Sequence, residues 1–268
     1  MELITDYAGM KVADYLIKNS PKKVCLIFWH GLGDVIMFMS PLSKLKALFP
    51  GTQIDIALQN GVGQEELFPD GLLIDTPNEA IEGYDYTFQI HFPMSEHLNG
   101  AYTKQGWCCV QELGIDPVDD YPELENCPSK LVACHFQATA LPDPINPSEE
   151  TAEQIWKEII EAGFIPIEAF FQHKYYNPVN AKFGFIDCSI RRAKPSIKTL
   201  ISLYQRCAAS ICVDSGNFHI SMAVMPDRTL YLEKEYLVKC YTKQDIAVVD
   251  INNYQKGSVK EWLNTKAL

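Results

Sequence analysis

A loop with two glycines and a carboxylate separates an apolar run from a helical pattern early in the chain. Gly31, Gly33 and Asp34 follow the run KVCLIFW (residues 23–29) and precede a helix that Pro50 ends. Glycines let the backbone turn sharply and let a ligand approach closely. The free N–H groups at the start of the following helix attract an anion or a polar group. Asp34 lies in the first helical turn, so it either caps its helix or belongs to a site.

The loop matches neither of two common phosphate-binding motifs. The third glycine of the dinucleotide fingerprint G-x-G-x-x-G is missing. No G-K-[ST] follows the glycines, as a P-loop requires. The loop therefore predicts that a ligand approaches the backbone closely, but it does not identify the ligand.

A second polar loop follows another apolar run late in the chain. Asp214, Ser215 and Gly216 form the turn, and a helical pattern with His219 in its first turn starts at Asn217. Backbone amides, a hydroxyl and an imidazole would then point toward one place, which suits a diphosphate. A capped helix with a packed histidine is the alternative interpretation.

The order of elements predicts the fold class. Apolar strand patterns alternate with helical patterns, which indicates right-handed crossovers and parallel sheets. Residues 5–19 and 196–209 are among the predicted helices, and the proline-rich and acid-rich stretch 114–130 is the predicted linker. We expect two α/β units in tandem, 1–125 and 126–268. Because ligands of open α/β sheets bind at the carboxyl ends of strands, the two loops would line one cleft if the units face each other.

Composition limits the classes of protein. The 268 residues are 47% hydrophobic and 21% charged, which is typical of a soluble globular protein. The net charge of −11 disfavours nucleic-acid binding. No apolar run reaches the roughly 18–20 residues of a membrane span, and the first residues carry acids where a signal peptide carries Lys or Arg. We therefore expect a cytoplasmic protein with no membrane span.

The nine cysteines predict neither disulfides nor a metal site. No C-x-x-C pair occurs, so a structural zinc site is not expected. Cys25, Cys134 and Cys212 lie in apolar runs and are predicted to be small buried hydrophobes.

Both loops match a known sequence pattern. H-G-L-G-D-V, a helix ending in L-K-A-L-F-P-G and the strand Q-I-D-I-A-L resemble the start of glycosyltransferase family nine, the heptosyltransferase family. That family opens with a strand, an S-x-G-D-[VI] loop and a helix with L-R-x-x-F-P. The later stretch L-I-S-L-Y-Q-R-C-A-A-S-I-C-V-D-S-G-N-F-H resembles the family's D-[ST]-G-x-x-H region, with its spacing kept at Asp214, Gly216 and His219.

The resemblance implies a GT-B fold and an inverting, metal-independent transfer from a nucleotide-diphosphate sugar. The acceptor would bind the N-terminal Rossmann-like domain, and the donor mostly the C-terminal one. Asp34 would be the general base that takes the proton of the acceptor hydroxyl. Gly31 and Gly33 would line the cleft. The residues implied to bracket the donor phosphates are Asp214, Ser215, Gly216, Asn217 and His219.

One part of the family pattern is missing. The family carries G-x-x-x-x-x-K-x-W-P after a strand of its second domain, whereas this chain reads ACHFQATALPDPINPSEET there. His135 or Gln137 would contact the donor instead, or the leaving-group charge would fall to Lys194 or Lys198. The alternatives are a nucleotide-sugar-binding protein without turnover and a sugar-nucleotide epimerase of the same architecture. The acceptor is open: a saccharide, a lipid-linked molecule or another hydroxyl compound.

Two further positions lie at predicted strand ends. His91 follows a strand and either touches an acceptor or packs in the protein. Glu233 ends a late strand, where a carboxylate can bind a ribose hydroxyl.

Overall fold

A computed structural model describes residues 3–4, 10–59, 67–68, 71–74, 81–93, 98, 101–122, 128–136, 138, 146–168, 197–233 and 241–266. The chain forms two compact units. The first comprises Met1–Pro122 and Lys239–Lys243, and the second comprises Glu123–Val238 and Gln244–Leu268. A short segment from late in the sequence thus belongs to the first unit.

The first unit is built on a five-stranded parallel sheet. Its strands are β1 (Leu3–Ile4), β2 (Lys23–Phe28), β3 (Gln53–Gln59), β4 (Leu72–Ile74) and β5 (Tyr86–Ile90). They lie in the order β1-β5-β2-β3-β4, and all pairs are parallel. Residues 24–28 of β2 are fully buried, as a continuous apolar run in a central parallel strand predicts.

Three helices of the first unit are described. They are α1 (Val12–Asn19), α2 (Leu32–Leu48) and α3 (Lys104–Cys108), and α3 continues as a π-helical turn over Cys109–Leu113. Gly31 is the N-cap of α2.

The second unit repeats the plan. Its strands are β6 (Leu131–His135), β7 (Ile165–Glu168), β8 (Cys207–Cys212), β9 (Thr229–Glu233) and β10 (Ala247–Asp250). They lie in the order β10-β9-β8-β6-β7, again with parallel pairs only. Its described helices are α4 (Glu149–Glu161), α5 (Ile197–Tyr204), α6 (Gly216–Val224) and α7 (Ser258–Thr265).

Two predicted helices differ in extent from the observed ones. The helix predicted to reach about Ala209 ends at Tyr204, because Cys207–Cys212 forms β8, in which every residue is buried. In that stretch, pairing in the centre of the sheet overrides helix propensity. The helix predicted from residue 5 begins at Val12, and residues 5–9 lie outside the described part of the chain.

The three cysteines that were predicted to be buried are buried. Cys25, Cys134 and Cys212 are buried free thiols, and burial raises the pKa of Cys212 to about 11. Among the described residues, no helix is long and apolar enough to cross a membrane.

A buried carboxylate joins α4 to α7 in the second unit. Glu158 is 1% exposed and accepts hydrogen bonds from the backbone N–H groups of Gly257 (2.7 Å), Val259 (3.0 Å) and Lys260 (3.2 Å). The side-chain amide of Gln154 donates a fourth bond at 2.9 Å. The carboxylate of Glu158 therefore satisfies the free N–H groups at the start of α7 from a neighbouring helix.

We predict that Glu158→Gln lowers the free energy of unfolding by about 2–3 kcal/mol, because an amide turns one acceptor oxygen into a donor that faces N–H groups. Denaturant unfolding of the two proteins measures the difference. Glu161→Gln on the same helix is the matched control: its carboxylate is exposed and pairs with Lys260 at 3.2 Å, so its effect should stay within about 0.5 kcal/mol. Equal effects of the two changes would contradict this role of Glu158.

Candidate active site

The order of the strands reverses once in each sheet, and in open α/β sheets such a reversal is where a crevice is expected. In the first unit the chain runs from β2 outward through β3 and β4, and then returns to β5 on the other side of β2. In open α/β sheets ligands bind where the order reverses in this way, at the carboxyl ends of the strands. The loops after β2 and β5, residues 29–31 and 91–93, meet there.

Asp34 lies beside this crevice in the first turn of α2. Its side chain is 20% exposed, and Oδ1 lies 3.2 Å from Nζ of Lys104. Oδ2 lies 3.6 Å from Nδ1 of His30. The N-cap of α2, Gly31, has no side-chain capping bond. The carboxylate of Asp34 therefore contacts two side chains rather than the backbone of its helix.

The backbone conformation at position 31 does not require a glycine. Its φ of −68° is accessible to any residue, and a Cβ at this position would meet no heavy atom within 4 Å. The space beside this part of the loop is open, and a side chain would fit there. Gly33 is the second residue of α2 and is half-buried.

His30 is held in one tautomer. The backbone N–H of Phe92 donates to its Nε2 at 3.0 Å, so Nε2 carries a lone pair. The proton of the neutral ring is then on Nδ1, on the side of Asp34. Burial lowers the pKa of His30 below 6.5; Asp34 opposes the shift, while His91 and Lys104 add to it. His30 is accordingly neutral at pH 7.

The second loop of the crevice carries His91 and packs on a buried acid. Burial lowers the pKa of His91, and its backbone N–H donates to Oε2 of Glu112 at 3.2 Å. Burial also raises the pKa of Glu112. His91 is half-buried rather than free on the surface, and its ring meets that of Trp29 edge-on, with 6.1 Å between centroids.

Lys104 is a site residue that sequence reasoning missed. It is the first residue of α3, whose N-cap Thr103 accepts a bond from the N–H of Gly106 at 3.0 Å. Nζ of Lys104 also lies 5.5 Å from the ring centroid of Tyr241. Seventy positions separate Lys104 from Asp34, and no motif in the sequence links them.

The second sheet has its own reversal, between β6 and β8. The chain passes from β6 to β7 on one side and returns to β8 on the other. His135 ends β6 opposite Cys212, and the N–H of Val213 donates to the carbonyl of His135 at 3.0 Å. The turn from Asp214 to Gly216 leaves β8 directly beside this point.

The predicted donor-loop residues lie together at this reversal. Ser215 is the N-cap of α6, but its hydroxyl donates to the carbonyl of Val213 at 3.2 Å rather than capping the helix. Asn217 is 2% and His219 4% exposed. Asp214, Ser215 and Gly216 are partly exposed at the start of α6.

The neighbouring strand β9 ends in a carboxylate. Glu233 is 7% exposed. It lies two residues after Tyr231, which pairs with Cys212 of β8, so it is at the same end of the sheet as the Asp214 loop. His135, the Asp214 loop and Glu233 therefore end three adjacent strands.

Two of the predicted phosphate-binding residues lie outside the described part of the chain: Gln137 and Lys194. Lys198 is exposed in the first turn of α5, a helix that packs against β8 and α6. Among the described residues, no group of three or more His, Cys, Asp or Glu side chains could hold a metal ion.

The fold defined by these two sheets is that of known GT-B-like structures. No family model matches the sequence, and no curated protein does. Solved structures match with probability 1.00 across most of the chain. The fold class predicted from the sequence, α/β with two Rossmann-like units and parallel sheets, is confirmed, and so is the resemblance to the heptosyltransferase-like fold.

Three of the matching proteins show the range of likeness. A family 9 glycosyltransferase from Veillonella parvula is 15% identical, with a TM-score of 0.63 over 92% of this chain and 96% of that one. Heptosyltransferase WaaC of E. coli with ADP is 12% identical, with a TM-score of 0.65 over 91% and 100%.

The third, the iron-containing dodecameric glycosyltransferase TibC of enterotoxigenic E. coli, is 12% identical, with a TM-score of 0.64 over 88% of this chain. Another TibC structure is a complex with ADP-D-beta-D-heptose. This chain spans 64% of the TibC chain.

We predict that the free energy of unfolding falls as the pH falls from 7 to 5. His30 in the folded protein has a pKa below 6.5, so the unfolded chain binds the proton first and stability rises with pH in this window. His30→Gln removes this titration, and its amide oxygen can still accept from the N–H of Phe92. Urea unfolding at pH 5, 6 and 7 should give a smaller slope for His30→Gln than for the parent. In both proteins His91 adds to the slope, and Glu112, whose pKa burial raises, opposes it. Identical slopes in the two proteins would contradict the assignment of a buried neutral His30.

Proposed function

We propose that the chain is a glycosyltransferase that moves a sugar from a nucleotide-diphosphate sugar to a hydroxyl acceptor, with inversion and without a metal ion. The observation that carries the proposal is the carboxylate of Asp34. It lies at the strand-order reversal of the first sheet, is four-fifths buried and does not cap its helix. The fold, shared with heptosyltransferases, supports the same reaction class.

Asp34 acts as the general base. One oxygen of its carboxylate accepts the proton as the O–H bond of the acceptor breaks. The acceptor oxygen forms a bond to the anomeric carbon of the donor sugar, and the bond from that carbon to the diphosphate oxygen breaks on the opposite face. The electron pair leaves on the nucleoside diphosphate, and Asp34 later loses its proton to water. A positioned base contributes typically 10²–10⁴-fold to such a step.

The second unit binds the donor. The start of α6 offers backbone N–H groups and the positive end of the helix dipole to the diphosphate, which stabilises the leaving group without a metal ion. Asp214, Ser215, Gly216, Asn217 and His219 form this loop, with His135 on the adjacent strand. Lys198 and Lys194 supply positive charge in place of the lysine that the family pattern has and this chain lacks. Glu233 binds a ribose hydroxyl.

Adenosine diphosphate is the first nucleotide to test. Two of the matching structures, WaaC and TibC, contain ADP or an ADP-heptose. The acceptor binds the first unit and carries a hydroxyl group within reach of Asp34.

We expect Asp34→Asn to slow turnover by about 10²–10³-fold, because an amide cannot take the proton. The assay follows ADP release from ADP-D-beta-D-heptose by the full chain, with water as the acceptor. Asp116→Asn is the matched control: this exposed residue of the same unit contacts Lys44 only through its backbone carbonyl, so its rate should equal that of the parent. Full activity of Asp34→Asn would exclude Asp34 as the base.

We expect one nucleotide sugar to raise the melting temperature in a screen of ADP-, GDP-, UDP-, CMP- and dTDP-sugars. A ligand that binds only the folded state at 100 times its Kd adds about 2.7 kcal/mol of stability. The shift should persist in EDTA and shrink in His219→Gln, while Glu150→Gln, exposed on α4, leaves it unchanged. If none of the nucleotide sugars raises the melting temperature, the proposed donor site is wrong. Binding without turnover would favour a nucleotide-sugar-binding protein, and a changed nucleotide sugar would favour an epimerase.

A further inference from the structure

The two oxygens of the Asp34 carboxylate have different surroundings. Oδ1 accepts a hydrogen bond from the ammonium of Lys104 at 3.2 Å. Oδ2 faces Nδ1 of His30 at 3.6 Å, which is too long for a hydrogen bond. Oδ1 is therefore engaged, and Oδ2 has lone pairs available for a substrate hydroxyl.

We propose that Lys104 is a positioning residue for Asp34, and that Tyr241 from the late segment of the chain holds Lys104 in place. Lys104 fixes Oδ1 so that Oδ2 is the oxygen that accepts the proton. This inference rests on the proposed function, since it assigns Lys104 a role in the step that Asp34 carries out.

The position of Lys104 is set by contacts on both sides. The hydroxyl of Thr103, which caps α3, donates to Oδ1 of Asp119. Oδ2 of Asp119 in turn lies 2.7 Å from Nζ of Lys243. Tyr241, two residues earlier, is 4% exposed and has its ring near the ammonium of Lys104. Residues 241–243 thus contact Lys104 directly and, through Asp119, its neighbour Thr103.

The environment makes the ion pair stronger than a surface pair. The side chains of Asp34 and Lys104 are 20% and 14% exposed, so water screens them less than it screens exposed charges. A cation close to an aromatic ring gains further electrostatic stabilisation when it is shielded from water. After Oδ2 takes the proton, Oδ1 still accepts from Lys104, so the ammonium keeps a partner throughout the step.

His30 cannot replace Lys104 or relay the proton. Its Nδ1 carries a proton in the neutral ring, and its Nε2 accepts from the N–H of Phe92. A proton from Asp34 could enter the ring only by breaking that bond. The pKa of His30 therefore responds to the charges around the ring, which come from Asp34 on α2, Lys104 on α3 and His91 after β5.

The test uses two matched pairs in the full chain: Lys104→Met with Lys104→Arg, and Tyr241→Leu with Tyr241→Phe. Release of ADP from ADP-D-beta-D-heptose gives kcat and KM, and NMR titration of the histidines gives the pKa of His30, assigned with His30→Gln. We expect Lys104→Met to lower kcat about 10–100-fold with KM changed less than about threefold. The pKa of His30 should rise, because a nearby positive charge is gone.

The paired variants separate this role from a general loss of packing. Lys104→Arg and Tyr241→Phe should keep most of kcat and leave the pKa of His30 near that of the parent. Tyr241→Leu should lower kcat and raise the pKa of His30 in the same sense as Lys104→Met, but less. If Lys104→Met folds poorly, the Tyr241 pair decides alone.

An unchanged kcat or an unchanged pKa of His30 in Lys104→Met would overturn the inference, and so would equal behaviour of Tyr241→Leu and Tyr241→Phe. These outcomes leave the proposed function standing, because that function is tested separately by Asp34→Asn and by the nucleotide-sugar screen. If the parent protein shows no ADP release, the NMR titration still decides whether Lys104 acts on the Asp34–His30 group.

Discussion

The parallel order of the strands is the constraint on which both candidate sites depend. In each unit the chain runs from a central strand to one edge of the sheet and then returns to the other side of that strand. Ligands of open α/β sheets bind at the carboxyl ends of the strands at such a reversal, so the place of each site follows from the strand order and not from any one side chain. Asp34 lies at one such point, and the Asp214 loop lies at the other.

The two crevices share this origin but differ in their chemistry. The first holds a carboxylate, which can take a proton, paired with an ammonium and beside a neutral imidazole. The second holds the start of a nine-residue helix, whose own side chains Asn217 and His219 are buried. The N–H groups of such a helix can stabilise negative charge but do not take a proton. A reaction that removes a proton from one partner and releases a diphosphate from the other needs both kinds of site.

Much of the fold could be predicted because local patterns determine it. Continuous apolar runs predict β2 and β8, and both strands are present in the structure. The end of α5 was predicted wrongly, because pairing of β8 with its neighbours is a long-range interaction that helix periodicity does not contain.

The candidate site was predicted only in part, for the same reason. Asp34 and the donor loop stand next to glycines in recognisable strand-to-helix turns. Lys104 and Tyr241 stand in no motif, and only the folded chain brings them near Asp34. The tautomer of His30 also depends on a backbone N–H 62 positions away.

The most direct test of the central claim is proton NMR of the sugar released from ADP-D-beta-D-heptose by the full chain. The account predicts release of ADP together with a sugar whose first detectable anomer has the opposite configuration to the donor. Both products should form about 10²–10³-fold more slowly in Asp34→Asn. A first product that retains the donor configuration, or an altered nucleotide sugar without release of ADP, would contradict it.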